Sequence, residues 1–484
     1  MAQKIMIDGN STFLWYDYET FGLNVRRDRP FQFAAIRTDI MLNTIDNPIM
    51  LYCKPAPDFL PDPRACLITK ITPQFCLNNG IPEYKFASII EKIFLKPGTI
   101  SVGYNTILFD DEITRFMFWR NLINPYEREW KNNCSRWDLI NVIKAFYVLS
   151  PYGITWPYKN NGKPSFKLEH LSFVNNLSHK KAHDALSDVR ATLGLARLIR
   201  NNNPRLFNFI LSLRKKKYVL AEIGWPIARP FFYITHMFSS KHSYISLMWP
   251  ICIHPMNKNI LITWNLLHDP KKFLLNDINK IRDYLCFKKN SFKEDIPISM
   301  IHLNRSPIVI SNLKVLSSNL MFRYKFDLNC AFKNIKCASS ILNNTYIWKK
   351  IFLDYKINNS DLELNIDEEL YNNFISKKDN FKLAILRSMS PKKLSNVNFC
   401  FENKKLEELI FLYRARNFIE TLSYKELKRW KKYRISRFYN KKNNLYNINM
   451  FYLEIESLLK KANEHDTKIL NALLMYGKSI TQKI

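Results

Sequence analysis

Three acidic patterns in the first 190 residues have the composition of a divalent-cation site. The first is Asp17-Tyr18-Glu19, which follows a short apolar, β-prone run at residues 13–16. Because residues i and i+2 of an extended chain point to the same side, Asp17 and Glu19 direct two carboxylates to one place. A D-x-E pattern by itself is common, and a solvated strand end explains it equally well. The apolar residues around it favour a functional role, because free acids are costly in such surroundings.

The second pattern is Gly103-Tyr104-Asn105 followed by Phe109-Asp110-Asp111-Glu112. A predicted strand leads into it, and a helix is expected to start near Asp111. Acidic residues are favoured in the first turn of a helix, so capping suits Asp111 or Glu112. Asp110 then remains available for a different role, as a ligand of the same cations.

The third pattern, His183-Asp184-Ala185-Leu186-Ser187-Asp188, opens an amphipathic helix. A spacing of five does not place His183 and Asp188 on one helical face, so His183 is expected on the loop before the helix. Asp184 is the expected N-cap, and Asp188 lies one turn inside the helix. A single histidine is more often structural than catalytic, so its interpretation depends on the other two patterns.

The order D-x-E, N-x4-D and H-x4-D resembles the DnaQ-like 3′→5′ exonuclease superfamily, in its histidine-containing branch. Within that superfamily the chain resembles the bacterial exonuclease I family. The segments Ser165-Phe166-Lys167-Leu168-Glu169-His170-Leu171 and Tyr413-Arg414-Ala415-Arg416-Asn417-Phe418 add to the resemblance. It covers most of the chain, densely in the first two hundred residues and thinly between about 240 and 400. The resemblance implies hydrolysis of single-stranded DNA from its 3′ end, processive release of 5′-mononucleotides, and a role in DNA repair and recombination.

The chemistry of phosphodiester hydrolysis accounts for the same residues independently. Two Mg2+ ions about 3.5–4 Å apart activate a water and stabilise the leaving oxygen, and Mg2+ prefers carboxylate ligands. Four carboxylates, those of Asp17, Glu19, Asp110 and Asp188, formally balance two such ions, with Mn2+ as a substitute. Without metal they repel one another, which should raise their pKa values or loosen the site. His183 titrates near neutrality and is suited to accept the proton of the attacking water.

The resemblance also implies residues that bind the DNA strand. They are Arg115, Tyr126, Trp130, Lys144, Phe166 and Lys167, together with Glu19 as a substrate contact. For the three aromatic residues, the sequence alone favours core packing. Lys167 stands where the family usually has arginine, so the charge is kept while bidentate phosphate binding is lost.

Other polar residues have simpler predicted roles. Asp138 is the expected N-cap of the helix at 139–149, and His170 is expected to pack within a helix. A basic stretch at residues 429–434 fits a DNA contact and a solvated helix face about equally well.

The coarse pattern predicts an α/β chain. Strands are expected at residues 13–16, 31–36, 50–53 and 99–104, and helices at 83–95, 111–122, 139–149 and 186–199. A β-rich region with one helix at 276–285 follows, and the chain becomes helical after about residue 343. These regions predict a mixed α/β domain (10–202), a β-rich domain (203–345) and a helical domain (350–484). The resemblance implies that the first is a ribonuclease H-like exonuclease domain. The resemblance implies that the β-rich domain is a small Src-homology-3-like barrel and that the helical one is the family's C-terminal domain.

Composition restricts the partners and the location. The 73 Lys and Arg residues exceed the 42 Asp and Glu residues by 31, which favours a polyanionic partner. Part of this surplus matches the Lys- and Asn-rich composition expected of an AT-rich genome. The 9 cysteines include no C-x-x-C pair, which argues against a zinc site or a disulfide framework. No signal peptide or membrane span is apparent, so we expect a cytoplasmic protein. We also expect it to be a monomer. The resemblance implies docking to the acidic tail of single-stranded DNA-binding protein, which is expected to be weaker here because Ser150 replaces an arginine before Pro151.

Two other functions fit parts of the sequence. One is a different DnaQ-like nuclease that acts on RNA ends or in proofreading, which the long basic C-terminal half opposes. The other is an inactive single-strand-binding module, which the presence of all five site residues opposes.

Overall fold

The chain folds into two compact units. The first comprises residues 10–134, 179–190 and 361–484, and the second comprises residues 1–9, 135–178 and 191–360. The computed structural model describes residues 11–178, 184–235, 244–271, 297–316, 328–341, 365–372, 375–395, 399–439 and 446–482, together with Leu320 and Trp348. The three predicted domain ranges stay predictions.

The first 202 residues contain the strands and helices that the periodicity predicts, with ends shifted by a few residues. The strands are β1 (Thr12–Thr20), β2 (Pro30–Thr38), β3 (Ile49–Tyr52), β4 (Thr99–Gly103) and β5 (Ser135–Asp138). The helices are α1 (Pro63–Thr69), α2 (Pro73–Asn79), α3 (Glu83–Phe94), α4 (Asp110–Arg120), α5 (Leu139–Leu149), α6 (Leu168–Val174) and α7 (Ala185–Asn202).

In the first unit, β1 lies between β2 and β4. The strand order is β3-β2-β1-β4, with β1 antiparallel to β2 and parallel to β4. Tyr16 and Tyr18 of β1 pack in a core with Phe33 of β2 and with Phe86 and Ile113 from helices α3 and α4. This core holds the central strand against the helix that carries Asp110.

The second unit contains an antiparallel sheet. Its strands are β6 (Phe231–Ile234), β7 (Ile245–Ile253), β8 (Ile260–Asn265), β9 (Ile298–His302) and β10 (Ile308–Ile310), in the order β10-β6-β7-β8-β9. Helices α8 (Pro204–Ser212), α9 (Lys216–Ile223) and α10 (Leu328–Ile341) belong to the same region. Phe231, Leu261 and Val309 share a core with Val219 of α9. The predicted β-rich region is confirmed, and the predicted helix at 276–285 lies outside the described residues.

The C-terminal region is helical, as predicted. Its helices are α11 (Lys377–Ser388), α12 (Pro391–Leu394), α13 (Lys405–Asn417), α14 (Tyr424–Tyr439), α15 (Ile448–Leu459) and α16 (Glu464–Gln482). One core joins Trp119 of α4 to Leu409 of α13, and a second joins Phe31 of β2 to Phe451 of α15. The C-terminal helices therefore share cores with the sheet of the first unit. Among the residues that the structure describes, no helix is long and apolar enough to cross a membrane.

Candidate metal centre

Asp17 and Glu19 lie within β1. The strand continues to Thr20, so both acids are paired residues, with Asp17 opposite Ala34 and Glu19 opposite Gln32 of β2. Their i, i+2 spacing directs both carboxylates to one side of the sheet, while the alternate residues Tyr16 and Tyr18 enter the core on the other side. The geometry of β1 therefore brings the two carboxylates together, as predicted.

Asp188, one turn into α7, completes a group of three acids. One carboxylate oxygen from each of Asp17, Glu19 and Asp188 can be chosen so that all three lie within 4.8 Å of one another. The donors are all carboxylate oxygens, which suits a hard divalent cation such as Mg2+. Helix α7 and strand β1 thus bring together residues that are about 170 positions apart in the chain.

The electrostatics of this group favour a bound cation. Burial raises the pKa of Asp17 well above its ordinary value, and Asp110, Glu19 and Asp188 raise it further. Burial, together with Asp188 and Asp110, raises the pKa of Glu19 from 4.5 to about 8. Without a cation the group therefore retains protons near neutral pH, and a divalent cation would displace them. The predicted mutual repulsion of the carboxylates therefore raises the pKa values of Asp17 and Glu19.

Asp110 lies at the start of α4 and faces the same acids. Its Oδ1 accepts a hydrogen bond of 3.1 Å from the backbone N–H of Tyr18, the residue between Asp17 and Glu19. Its charge also contributes to the raised pKa values of Asp17 and Glu19. Asp110 therefore lies near Asp17 and Glu19 and is bonded to the β1 backbone.

The Gly103-Tyr104-Asn105 motif has a backbone explanation. A Cβ on Gly103, at the end of β4, would lie 2.6 Å from the carbonyl oxygen of Tyr16, closer than a real side chain comes. Asn105 has a φ of 65°, in the left-handed region that asparagine tolerates better than most residues. These two residues let the chain leave β4 beside β1 and turn into the segment that begins α4.

Asp111 does not cap α4, and that prediction is wrong. The residue before the helix is Phe109, and no side-chain hydrogen bond caps this end. Asp111 is buried, where it accepts a hydrogen bond of 2.6 Å from the Tyr16 hydroxyl and forms an ion pair with buried Arg128. The alternative, capping by Glu112, is also wrong, since that carboxylate pairs with Arg115.

Asp184 precedes α7 as predicted. Its backbone carbonyl accepts a hydrogen bond of 3.0 Å from the N–H of Asp188. Its side chain accepts a hydrogen bond of 3.2 Å from the side-chain amide of Gln32, a residue that sequence reasoning did not identify. No local pattern could have found Gln32, because its partner is 152 residues away. The predicted general base, His183, lies outside the described residues.

Two of the predicted DNA-contacting aromatic residues are exposed. Trp130 is 64% exposed and Tyr126 is 37% exposed, both beside the short turns at Glu127–Glu129 and Lys131–Asn133. Core packing, which the sequence alone favours, is therefore wrong for both. Arg115 is buried beneath Tyr126, with its guanidinium carbon 5.3 Å from the ring centre.

The Arg115 side chain is already bonded to other protein groups. Its Nη1 donates to Glu112 at 2.6 Å, and its Nη2 lies 2.7 Å from Glu129. Its Nη1 also donates to the hydroxyl of Tyr371. The geometry shows Arg115 as the support of the exposed Tyr126 ring.

The remaining predicted contacts belong to the second unit. Phe166 is half-buried, with its ring 5.5 Å from that of Tyr147 and 5.3 Å from that of Tyr244, centre to centre. Lys167 is exposed and its Nζ lies 3.0 Å from Glu169. Lys144 is buried in α5, and burial lowers the pKa of its amine.

Two minor predictions have opposite outcomes. Asp138 is the N-cap of α5, where its carboxylate accepts a hydrogen bond of 3.1 Å from the N–H of Ile140. His170, expected to pack within α6, is instead exposed, and its Nδ1 lies 2.8 Å from the hydroxyl of buried Ser165. The apolar neighbours of His170 in sequence do not place it on the buried face.

Three protein-family models match the chain in succession. They are described as Exonuclease at residues 14–196, Exonuclease I SH3-like domain at 214–354 and Exonuclease I C-terminal domain at 364–480. Exodeoxyribonuclease I of Escherichia coli K12 is 39% identical over 438 residues, covering 89% of this chain and 91% of that protein. The enzyme of Buchnera aphidicola from Schizaphis graminum is 38% identical over 484 residues, covering 98% and 96%.

Solved structures agree with the sequence matches. E. coli exonuclease I in complex with a dA16 oligonucleotide has a TM-score of 0.90 and 36% identity, covering 97% of this chain and all of that chain. A zinc-bound form of the E. coli ExoI–ssDNA complex has a TM-score of 0.89, and an SSB/Exonuclease I structure with the inhibitor CFAM has 0.88. Both are 36% identical and cover 97% of this chain and 99% of the other. The predicted fold class, an exonuclease domain followed by an SH3-like and a helical domain, is confirmed.

Proposed function

This chain belongs to the bacterial exonuclease I family, and from that premise we infer that it is a 3′→5′ exodeoxyribonuclease acting on single-stranded DNA. Three successive family models and relatives that are 36–43% identical over most of the chain support the inference. The single observation that carries it is the convergence of Asp17, Glu19 and Asp188 beside Asp110. That group supplies carboxylate ligands for the divalent cations that assist phosphodiester hydrolysis.

We propose that the four carboxylates hold two Mg2+ ions, with Mn2+ as a substitute. The carboxylate oxygens that the described residues bring together and the raised pKa values of Asp17 and Glu19 support a cation of high charge density. When bound, such ions lower the pKa of a coordinated water and stabilise charge on a leaving oxygen. Asp17, Glu19 and Asp188 would each provide a carboxylate oxygen as a metal ligand. The Tyr18 N–H holds Asp110 in place by its hydrogen bond.

His183 is proposed as the general base. It directly precedes Asp184 in the chain. An imidazole with a pKa near neutrality can take a proton from the attacking water and pass it to solvent. The residue order and the family membership support this role.

We propose that the DNA strand is bound by aromatic stacking and by phosphate contacts. The exposure of Trp130 and Tyr126 supports stacking on their rings, with Arg115 beneath Tyr126. Exposed Lys167 is available to phosphates, and Phe166, Lys144 and Glu19 complete the proposed contacts by resemblance. Aromatic stacking tolerates any base, which suits an enzyme that digests any sequence.

We also propose that this protein is a cytoplasmic monomer that docks the acidic tail of single-stranded DNA-binding protein. The SSB/Exonuclease I structure supports the partner. In this chain Ser150 ends α5 and accepts a hydrogen bond of 3.3 Å from the side chain of Asn203. A serine cannot form the ion pair that an arginine would, so we expect weaker docking here.

A comparison of substrates tests the proposed function. The protein is incubated with labelled single-stranded DNA, blunt duplex DNA and single-stranded RNA, each with Mg2+ or with EDTA. We expect Mg2+-dependent shortening of single-stranded DNA and much slower digestion of the other two. Preference for RNA would favour the other DnaQ-like nucleases, and binding without any cleavage would favour the inactive module.

A further inference from the structure

Gln32 is a buried polar residue in a strand that is otherwise largely apolar. Strand β2 is buried along its whole length, and Gln32 is only 1% exposed. Its partner in the register of the sheet is Glu19, on the neighbouring strand β1. Burying a side-chain amide is costly unless its polar atoms are hydrogen-bonded, so its contacts explain why it is there.

Both ends of the Gln32 amide are bonded, and two of the bonds reach the start of α7. The Nε2 donates to Oδ1 of Asp184 at 3.2 Å and to the hydroxyl of Tyr52 at 3.2 Å. The Oε1 accepts a hydrogen bond of 3.4 Å from the N–H of Ala185, the first residue of the helix. The first N–H groups of a helix have no partner within it, so this bond satisfies one of them from the sheet.

These contacts link the positions of two site carboxylates, those of Glu19 and Asp188. Asp184 and Ala185 are one helical turn before Asp188, and the Asp188 N–H donates to the carbonyl of Asp184 at 3.0 Å. Gln32 lies opposite Glu19 in the sheet, so its side chain connects the Glu19 position to the helical turn that carries Asp188. A displacement of that turn would move the Asp188 carboxylate away from Asp17 and Glu19.

The same contacts hold a fifth carboxylate. Asp184 is among the charged groups near both Asp17 and Glu19. Its Oδ1 is bonded to the Gln32 amide, and it does not belong to the group of three that can hold one ion. A neutral amide can bond to this carboxylate without adding charge beside the site.

We propose that Gln32 is a positioning residue of the metal centre: it fixes the first turn of α7 so that the Asp188 carboxylate meets those of Asp17 and Glu19. This inference rests on the proposed function of these acids as metal ligands. It assigns Gln32 no contact with metal or DNA. Groups that orient ligands typically affect metal affinity about 10–100-fold when they are replaced.

The test measures metal binding directly and does not depend on nuclease activity. Mn2+ is titrated into the full-length wild-type protein and into its Gln32→Met and Gln32→Asn variants. The concentration of free Mn2+ is measured by electron paramagnetic resonance. The first variant keeps the side-chain length without the amide, and the second keeps the amide but makes it too short to reach α7. We expect the Mn2+ dissociation constant to rise about 10–100-fold in both, and saturating metal to restore the cleavage rate.

Matched controls separate positioning from general stability. Gln74 donates a hydrogen bond of 2.6 Å to the carbonyl of Ala472, at a place without site acids. Gln74→Met should lower the thermal midpoint without changing the Mn2+ dissociation constant, and Asp188→Asn should weaken Mn2+ binding in a folded protein.

A wild-type Mn2+ dissociation constant in a folded Gln32→Met or Gln32→Asn protein would overturn the proposal, whatever its thermal stability. Cleavage by the wild-type protein is scored separately, so a failure of the proposed function is distinguishable from a failure of this inference.

Discussion

Asp110 and Asp111 are neighbours in sequence, yet their carboxylates lie in different environments. Asp110 faces the site acids and bonds to the backbone of β1, whereas Asp111 bonds to Tyr16 and to buried Arg128. The sequence indicated that one of the two is a ligand and the other has a structural role. It could not show the size of that role, because Arg128 is 17 residues further along the chain.

Substitutions at these two positions should therefore have opposite effects. Asp110→Ala should abolish cleavage and leave the protein folded, because the site loses a carboxylate. Asp111→Ala should lower the free energy of unfolding by about 3–5 kcal/mol, because it leaves the Arg128 charge buried without its partner. Urea denaturation and a nuclease assay measure the two effects.

Asp62→Ala is a control for simple capping, since Asp62 caps α1 through a hydrogen bond to the Arg64 N–H. It should cost about 1 kcal/mol. An Asp111→Ala protein no less stable than Asp62→Ala would contradict this account.

The raised pKa of Glu19 predicts a pH dependence of the metal-free protein. Its pKa is about 8 in the folded chain, against 4.5 for the ordinary group. The folded state therefore binds more protons, and the stability that this residue contributes at low pH is lost as the pH rises from about 4.5 through about 8. In EDTA, the free energy of unfolding of the wild type should fall more steeply between about pH 6 and pH 8.5 than that of Glu19→Gln. Parallel pH profiles of the two proteins would refute the prediction.

At the level of elements, the strongly periodic segments were predictable and the site-bearing strand only in part. The helix at Leu139–Leu149 has the predicted bounds, since Asp138 caps it and its apolar face is continuous. Strand β1 was expected to end before Asp17, because acids are depleted in strands. Pairing with β2 extends it to Thr20. The four residues of β5 were missed because Ser135–Asp138 shows no apolar alternation.

The site was predictable to the level of its acids but not of the groups that support them. The pattern of carboxylates is local in sequence, and each motif identified its own residue. Arg128 and Gln32 reach Asp111 and Asp184 only in the folded chain. These pairs form because the side chains are buried next to each other, and the spacing of residues in the sequence does not indicate which side chains are buried together.

The exposed tryptophan beside the turns that follow α4 leads to a prediction about DNA binding. Trp130 is exposed there, so its replacement removes a stacking surface without opening the core. Trp130→Ala should weaken binding of a single-stranded oligonucleotide by about 1–3 kcal/mol, measured by fluorescence anisotropy in EDTA. Thermal stability should stay close to that of the wild type.

Trp119 provides the contrasting tryptophan, since it is buried in the core shared with α13. Trp119→Ala should destabilise the protein by about 3–5 kcal/mol. Unchanged oligonucleotide affinity in Trp130→Ala would remove this residue from the proposed DNA path.

At the scale of the whole chain, buried ion pairs join the C-terminal helices to the N-terminal part of the first unit. Arg416 of α13 lies 2.7 Å from Asp58 and 2.6 Å from Asp367, and all three side chains are almost fully buried. Arg29, the residue before β2, pairs with Glu83 and also with Asp367. The Tyr413–Phe418 segment, which resembles a family signature, thus contributes a structural cation.

Arg416→Ala should accordingly destabilise the first unit by about 3–5 kcal/mol, because two carboxylates lose their buried partner. Arg429→Ala is the matched control, since Arg429 forms an exposed ion pair with Glu408 and should cost at most about 1 kcal/mol. Both values come from urea denaturation of the full-length protein. Equal stability of the two variants would show that the buried network does not hold these segments together.

The proposed function assigns hydrolysis from the 3′ end of single-stranded DNA to the acids around Asp17. The most direct measurement follows one oligonucleotide that carries different fluorophores on its first and last nucleotides, with Mg2+, using wild type and Asp188→Asn. We expect the wild type to release the 3′ label first as a mononucleotide while the 5′-labelled strand shortens progressively, and we expect Asp188→Asn and EDTA both to abolish release. Immediate release of the 5′ label, or cleavage by Asp188→Asn at the wild-type rate, would contradict it.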